Sequence, residues 1–94
     1  MGDAVRCQKE VVVRNITGLH VRAAGAFVDT AQKFSSDIRV VKGDREADGK
    51  SIIQLLTLGA EFNASLLLVA EGDDAPEAVT RLEQLVLAQF GLKE

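Results

Sequence analysis

Gly18-Leu19-His20-Val21-Arg22-Ala23-Ala24 is the stretch on which the organisation of the chain depends. It follows a short β-branched run, precedes a run with helical periodicity, and contains the only histidine among 94 residues. A helix N-terminus has unpaired backbone N–H groups and the positive end of the helix dipole, and both favour anions. A neutral imidazole is a nucleophile, and a guanidinium two residues later can bind phosphoryl oxygens in a fork geometry. The stretch therefore predicts a histidine that carries a phosphoryl group.

Other kinds of site fit this histidine less well. Considered alone, one histidine is more often a surface or capping residue without a chemical task. Metal binding is disfavoured because the chain has no second histidine and only one cysteine, Cys7. A serine hydrolase is disfavoured because no nucleophile-elbow motif is present. We expect neither a metal nor a cofactor.

Length and composition indicate one small globular domain over residues 1–94. The apolar fraction is 47% and the charged fraction 27%, both ordinary for a folded protein in water. A net charge of −3 with no Trp or Tyr disfavours nucleic-acid binding. No apolar run approaches the roughly 20 residues of a membrane span, and the start lacks a secretory pattern. We therefore expect a cytoplasmic protein that does not insert into membranes.

The chain alternates strand-like and helix-like segments in the order βαββαβα, after a loose terminus over residues 1–7. Ser51 and Gln54 have the spacing of a capping box, Asp74 is placed to cap the last helix, and Gly25 inside the first helix suggests close packing there. One antiparallel sheet with helices on one face, an α+β architecture, follows from this order. The predicted strands cover 9–14, 38–42, 45–48 and 65–71, and the predicted helices cover 21–34, 52–58 and 75–90.

The first stretch resembles the Gly-Leu-His-Ala-Arg-Pro-Ala signature of the HPr family, the histidine-containing phosphocarriers of the bacterial phosphoenolpyruvate-dependent sugar phosphotransferase system. Three further matches stand at the right separations: Lys50-Ser51-Ile52-Ile53, Leu58-Gly59 and Ala70-Glu71-Gly72. The resemblance covers nearly the whole chain. It implies an open-faced β-sandwich, in which a four-stranded antiparallel sheet of order 1-4-2-3 carries three helices on one face.

The resemblance also implies a function for His20. Its Nδ1 atom would accept a phosphoryl group from phosphorylated Enzyme I, forming a pros-phosphohistidine, and would pass it to an A-type domain of an enzyme II component. The backbone N–H groups of Val21 and Arg22, together with the Arg22 side chain, would hold the phosphoryl oxygens. The chain would then be a carrier with a covalent intermediate and not an enzyme in its own right.

Two further features of the family match the second helix. Ser51 corresponds to a serine that HPr kinase/phosphorylase modifies in some bacteria, although its residue type and position also fit a simple helix N-cap. Ile52 and Leu56 correspond to an exposed apolar patch that docks Enzyme I. Ile53 is expected to face the core.

Two departures from the signature keep alternatives open. Ala23 stands where the family has proline, and Val21 stands where alanine is usual. Such changes are consistent with a paralogous regulatory carrier, for example of the nitrogen-related phosphorelay. A third reading is a binding regulator, such as a catabolite-control partner, that is governed by Ser51 while His20 has no task.

Overall fold

A computed structural model describes residues 5–92, and within them the elements follow one another in the predicted order βαββαβα. A short 3₁₀ helix, Gln89–Gly91, follows the last α-helix. The strands are β1 (Arg6–Val12), β2 (Asp37–Lys42), β3 (Arg45–Asp48) and β4 (Ser65–Glu71), and the helices are α1 (Val21–Ala31), α2 (Ile52–Thr57) and α3 (Ala75–Leu87).

The four strands form one antiparallel sheet in the order β1-β4-β2-β3, as predicted. The apolar strand β4 is central, and its residues alternate between the two faces of the sheet. Leu66, Leu68 and Ala70 are buried beneath the helices, next to Ile38 and Val40 of β2. The other face carries charged residues such as Glu10 and Arg39 around the apolar Leu67 and Val69. The molecule is therefore the open-faced α+β sandwich that the resemblance implied.

The first strand begins earlier than predicted. Arg6 and Cys7 belong to β1, where they pair with Glu71 and Ala70 of β4, so the loose terminus predicted over residues 1–7 is wrong at these two positions. Residues 1–4 of that prediction lie outside the described residues. The polar composition of this segment concealed it, because β1 places several polar side chains on exposed positions.

Two helices end earlier than their apolar periodicity predicted. After α1 the spacing of the backbone hydrogen bonds shortens from four residues to three: the N–H of Phe34 donates to the carbonyl of Ala31 and not to that of Thr30. After α3, Gln89 and Phe90 have positive φ angles of 56° and 59°. This reversal returns the Phe90 ring to the core, where the residue is 3% exposed. Burial of an aromatic ring therefore outweighs the backbone strain at these positions.

The predicted cap of α2 forms in part, whereas the predicted side-chain cap of α3 does not form, and Gln54 and Asp74 instead connect separate elements. Ser51 Oγ accepts the backbone N–H of Gln54 at 3.2 Å, but the Gln54 side chain accepts from the Asp48 N–H at the end of β3 instead of completing the capping box. Asp74 occupies the N-cap of α3, yet its carboxylate makes no cap hydrogen bond. It accepts the N–H groups of Ser35 and Ser36 and the Ser36 hydroxyl instead.

Candidate functional site

His20 is the N-cap residue of α1. Its backbone is extended, with φ −85° and ψ −175°, and its carbonyl accepts the first intrahelical hydrogen bond, from Ala24 N–H at 2.8 Å. The imidazole folds back over the helix end, so that Nδ1 accepts the backbone N–H of Arg22 at 3.2 Å. The imidazole ring therefore caps α1 through Nδ1, a role that a side-chain oxygen usually fills.

The two ring nitrogens have different surroundings. Nε2 is buried, whereas His20 as a whole is only partly buried and Nδ1 faces the first turn of α1. An atom that accepts an N–H carries a lone pair instead of a proton, so Nδ1 is the nucleophilic nitrogen of the neutral ring. A group bonded to Nδ1 would lie at the positive end of α1, beside N–H donors of the first helical turn.

The residues expected around the histidine surround it in the structure. Val21 and Arg22 are the first two residues of α1, both are exposed, and they present backbone N–H groups to the same helix end. Ala23, in place of the family proline, is fully buried in the first turn, and α1 forms with alanine there. The helix thus tolerates the departure at Ala23, and Val21 adds an exposed branched side chain directly after His20.

The loop that leads into His20 is held against a second loop. Gly18 has a positive φ of 69°, and an added Cβ would stand 2.6 Å from the carbonyl oxygen of Ala60. The next residue, Leu19, is buried and donates its N–H to that oxygen at 2.9 Å. Only glycine combines this backbone conformation with such a close approach. The glycine of the signature therefore brings the histidine loop against the connector between α2 and β4.

The short helix α2 packs against α1, and it places Ser51 at its own N-terminus. Ser51 is partly buried and its hydroxyl oxygen accepts the Gln54 N–H, so the N-cap role is present in the structure. The helix presents Ile52, Ile53 and Leu56 to solvent, with 38%, 75% and 39% of their surfaces exposed. We call these three residues the docking patch, after the role that the family resemblance predicts for Ile52 and Leu56.

The prediction for Ile53 is wrong, because this residue is the most exposed of the docking patch and does not face the core. In this six-residue helix only Leu55 is buried, and Ile53 lies on the opposite, exposed side. Ile16 and Val21, near the histidine, are exposed as well. Their exposure was missed, although Ile16 lies between the turn residues Asn15 and Thr17, a place where an apolar side chain has little to pack against.

The described residues offer no second kind of chemistry at this site. Between residues 5 and 92, no three His, Cys, Asp or Glu side chains come together in a way that could hold a metal ion. Cys7 is a free thiol in β1. What the site offers is one nucleophilic nitrogen, backbone donors and one exposed guanidinium.

A single histidine that caps a helix with Nδ1, on an open-faced sandwich of this topology, defines the class of small phosphoryl-carrier proteins. A family model described as "PTS HPr component phosphorylation site" matches residues 7–88. The chain belongs to the HPr family, the phosphocarriers of the phosphotransferase system.

Individual relatives agree with the family. The phosphocarrier protein HPr of Borreliella burgdorferi is 37% identical over 79 residues, which are 84% of this chain and 92% of the relative. The HPr-like protein Crh of Bacillus subtilis is also 37% identical over 79 residues, 84% of this chain and 93% of Crh. A solved structure of HPr from Thermoanaerobacter tengcongensis superposes with a TM-score of 0.89 at 40% identity, covering 94% of this chain and 99% of that one.

Proposed function

We propose that His20 accepts a phosphoryl group at Nδ1 from phosphorylated Enzyme I and donates it to an A-type domain of an enzyme II component in sugar uptake. The observation that carries this proposal is the position of Nδ1, which accepts a backbone N–H at the N-terminus of α1 while Nε2 is buried. The lone pair of Nδ1 attacks phosphorus, and the bond from phosphorus to the donor breaks with its electron pair remaining on the donor.

The surroundings of Nδ1 suit a reversible transfer. The N–H of Arg22 would turn from Nδ1 to a phosphoryl oxygen, the N–H of Val21 would add a second donor, and the exposed guanidinium of Arg22 would close over the group. These donors lie at the surface, where hydrogen bonds and charges are weakened by water. The phosphoryl group is thus bound enough to be oriented, and not so strongly that donation becomes slow.

The partners are proposed from the same surface. Docking on Enzyme I would use Ile52 and Leu56, with Ile53 added because of its exposure. The described part of the chain contains no helix long and apolar enough to span a membrane. We place the protein in the cytoplasm, where phosphoenolpyruvate is available, and we expect it to act without a cofactor.

The regulatory alternative is favoured by one structural feature, the position of Ser51 at the N-terminus of α2 beside the docking patch. A phosphate at a helix N-terminus is favourable for the helix, so modification by an HPr kinase/phosphorylase would leave α2 folded. It would place about two negative charges next to Ile52 and would hinder docking. Similarity to Crh, an HPr-like protein, supports keeping this alternative.

The deciding experiment incubates the protein with labelled phosphoenolpyruvate and Enzyme I. We expect an acid-labile, base-stable label that is absent from His20→Ala and retained in the matched control Ser51→Ala. No label on the folded wild-type protein would refute the carrier function. An ATP-dependent label on Ser51, with His20 unlabelled, would establish the binding regulator in its place.

A further inference from the structure

Asn15 is a fully buried amide in the loop between β1 and α1, five residues before the histidine. Its Nδ2 group donates to the carbonyl oxygen of Gly18 at 2.6 Å and to the hydroxyl of Thr17 at 3.3 Å. Its own carbonyl accepts the N–H of Gly18 at 3.0 Å. The Asn15 side chain therefore fills the inside of the turn that leads into His20.

The bond to Gly18 fixes a particular peptide plane. The carbonyl of Gly18 and the N–H of Leu19 belong to the same planar trans peptide and point in opposite directions. Asn15 holds the carbonyl edge at 2.6 Å, and the Ala60 carbonyl holds the N–H edge at 2.9 Å. Because both edges are held, this peptide cannot rotate about its Cα–Cα axis without breaking a buried hydrogen bond.

That peptide lies one residue before the reacting histidine. Leu19, the residue between them, is buried, so a rotation of the clamped peptide would be passed on to His20 and not absorbed at a free side chain. A rotation there would change the direction in which the imidazole leaves the backbone. The Nδ1 to Arg22 N–H distance of 3.2 Å is already at the long end for a hydrogen bond, so a small rotation would break it.

The Asn15 side-chain amide acts only as a hydrogen-bond donor. Within residues 5–92, Asn15 Oδ1 is buried and receives no hydrogen bond, so the side chain is held by its NH₂ group. An apolar residue of similar volume would remove the unsatisfied Oδ1, but it would leave the Gly18 carbonyl without its buried donor. The requirement that this position meets is therefore the N–H donated to Gly18.

We propose that Asn15 is a positioning residue for phosphoryl transfer: by holding the Gly18–Leu19 peptide it sets the direction of the His20 ring and keeps Nδ1 on the first turn of α1. This inference rests on the proposed carrier function for its kinetic consequence. Its structural consequence, the geometry between Nδ1 and the Arg22 N–H, exists without any phosphoryl donor.

The test compares Asn15→Leu and Asn15→Ser with the matched control Ser36→Ala. Leucine has a similar volume and no donor, and serine is too short to reach Gly18. The control also deletes a buried polar contact, because Ser36 is 1% exposed and bonds Asp74, but it lies beyond the opposite end of α1. Any effect that comes only from lost stability should appear in the control too.

The first readout is the NMR spectrum of the full-length, unphosphorylated proteins at about pH 8.5, where an ordinary imidazole is neutral. The ¹⁵N shift of His20 Nδ1 and the amide proton shift of Arg22 report their mutual hydrogen bond. We expect both signals to move toward random-coil values in the two Asn15 variants and to stay at wild-type values in Ser36→Ala. Wild-type shifts in folded Asn15→Leu would overturn the proposal.

The second readout is the rate of phosphorylation by Enzyme I at varied concentrations of each protein. We expect kcat to fall about tenfold or more in the Asn15 variants, because a misplacement of about 1 Å is costly in transfer reactions. KM should be unchanged, since the docking patch is intact. A change in KM alone, or an equal loss of kcat in Ser36→Ala, would overturn the positioning role.

The remaining outcomes are also decisive. Failure of both Asn15 variants to fold at low temperature would make Asn15 a determinant of folding and would overturn the proposal. Absence of label on the wild-type protein would refute the carrier function instead, and the spectra would still decide whether Asn15 orients His20.

Discussion

Arg22 takes part in the proposed transfer through two groups that substitution can separate. Its backbone N–H bonds Nδ1, while its exposed guanidinium is proposed to hold phosphoryl oxygens. Arg22→Lys keeps the charge but loses the fork, and Arg22→Ala keeps only the N–H. We expect the transfer rate to fall about tenfold in the lysine variant and about a hundredfold in the alanine variant. Rapid-quench labelling would measure both, with the exposed Arg81→Ala on α3 as control, and a wild-type rate in Arg22→Ala would contradict the role.

Gly25 allows a test of how the helix propensity of one residue in α1 affects the stability of the fold. Its presence inside α1 suggested close packing, and this interpretation is wrong, because an added Cβ would meet no atom within 4 Å. Glycine in a helix interior costs about 1 kcal/mol relative to alanine. We therefore expect Gly25→Ala to raise the free energy of unfolding by about 1 kcal/mol, measured by urea denaturation. An unchanged or lower value would show that this face of α1 has a neighbour that the structure does not reveal.

At the scale of residues, sequence reasoning found the groups whose chemical type is distinctive and missed those whose role depends on where they point. His20 and Ser51 combine a distinctive residue type with a helix start: His20 directly precedes the predicted start of α1, and Ser51 stands at its predicted N-cap. Asn15 was assigned only to a turn, because its residue type and position do not show that its side-chain amide reaches the Gly18 carbonyl. Ile53 was assigned to the core, because the exposed side of a six-residue helix depends on what packs beside it.

The start of α3 is joined to the loop after α1 by one carboxylate, and this contact makes stability depend on pH. Hydrogen bonds from the Ser36 hydroxyl and the Ser35 N–H hold the pKa of Asp74 below its usual value. A carboxyl whose pKa is lower in the folded state stabilises the fold above its unfolded pKa of about 3.9, and this stabilisation is lost as the pH falls through the folded pKa.

We expect Asp74→Asn to lower the urea midpoint at neutral pH, and the difference from wild type to shrink as the pH is lowered below about 4. Urea titrations of both proteins across that range measure the effect. The exposed neighbour Asp73→Asn is the control and should show no such pH-dependent difference. A difference between Asp74→Asn and wild type that stays constant from neutral to acidic pH would disprove the linkage.

For the helices and strands, their order, their type and the pairing of the strands were predicted from the sequence, whereas the residues at which several of them begin or end were not. β4 and β3 have their predicted bounds, because turn residues flank an apolar run in the first case and glycine-containing turns limit the second. The ends of β1, α1 and α3 depend on partners far along the chain: the β4 ladder, the Asp74 carboxylate and the core site of Phe90. Such tertiary contacts override local propensity and cannot be read from a short window.

At the scale of the whole molecule, the fold divides its surface between the sheet face and the helix side. The open sheet face carries charged residues, among them the ion pair of Arg39 and Glu46 at 2.6 Å, around apolar residues of β4, whereas α2 presents the docking patch. The start of α1, where His20 lies, is on the same side of the sheet as α2, and the two helices pack together. A partner that covers the docking patch would therefore be well placed to reach Nδ1, and its binding should depend on apolar contact more than on charge.

Ile53 tests this arrangement because it is exposed and belongs to no part of the phosphoryl site. Burial of an isoleucine side chain at an interface is worth about 1.5–3 kcal/mol, or roughly tenfold or more in affinity. We expect Ile53→Ser to raise the KM of Enzyme I for this protein about tenfold while leaving kcat and the melting temperature unchanged. Leu87→Ser is the matched control, since Leu87 is an apolar residue of α3 that is 50% exposed. Equal KM values for the two variants would mean that Enzyme I docks elsewhere. A fall in kcat for Ile53→Ser would instead mean that the docking patch also orients His20 within the complex.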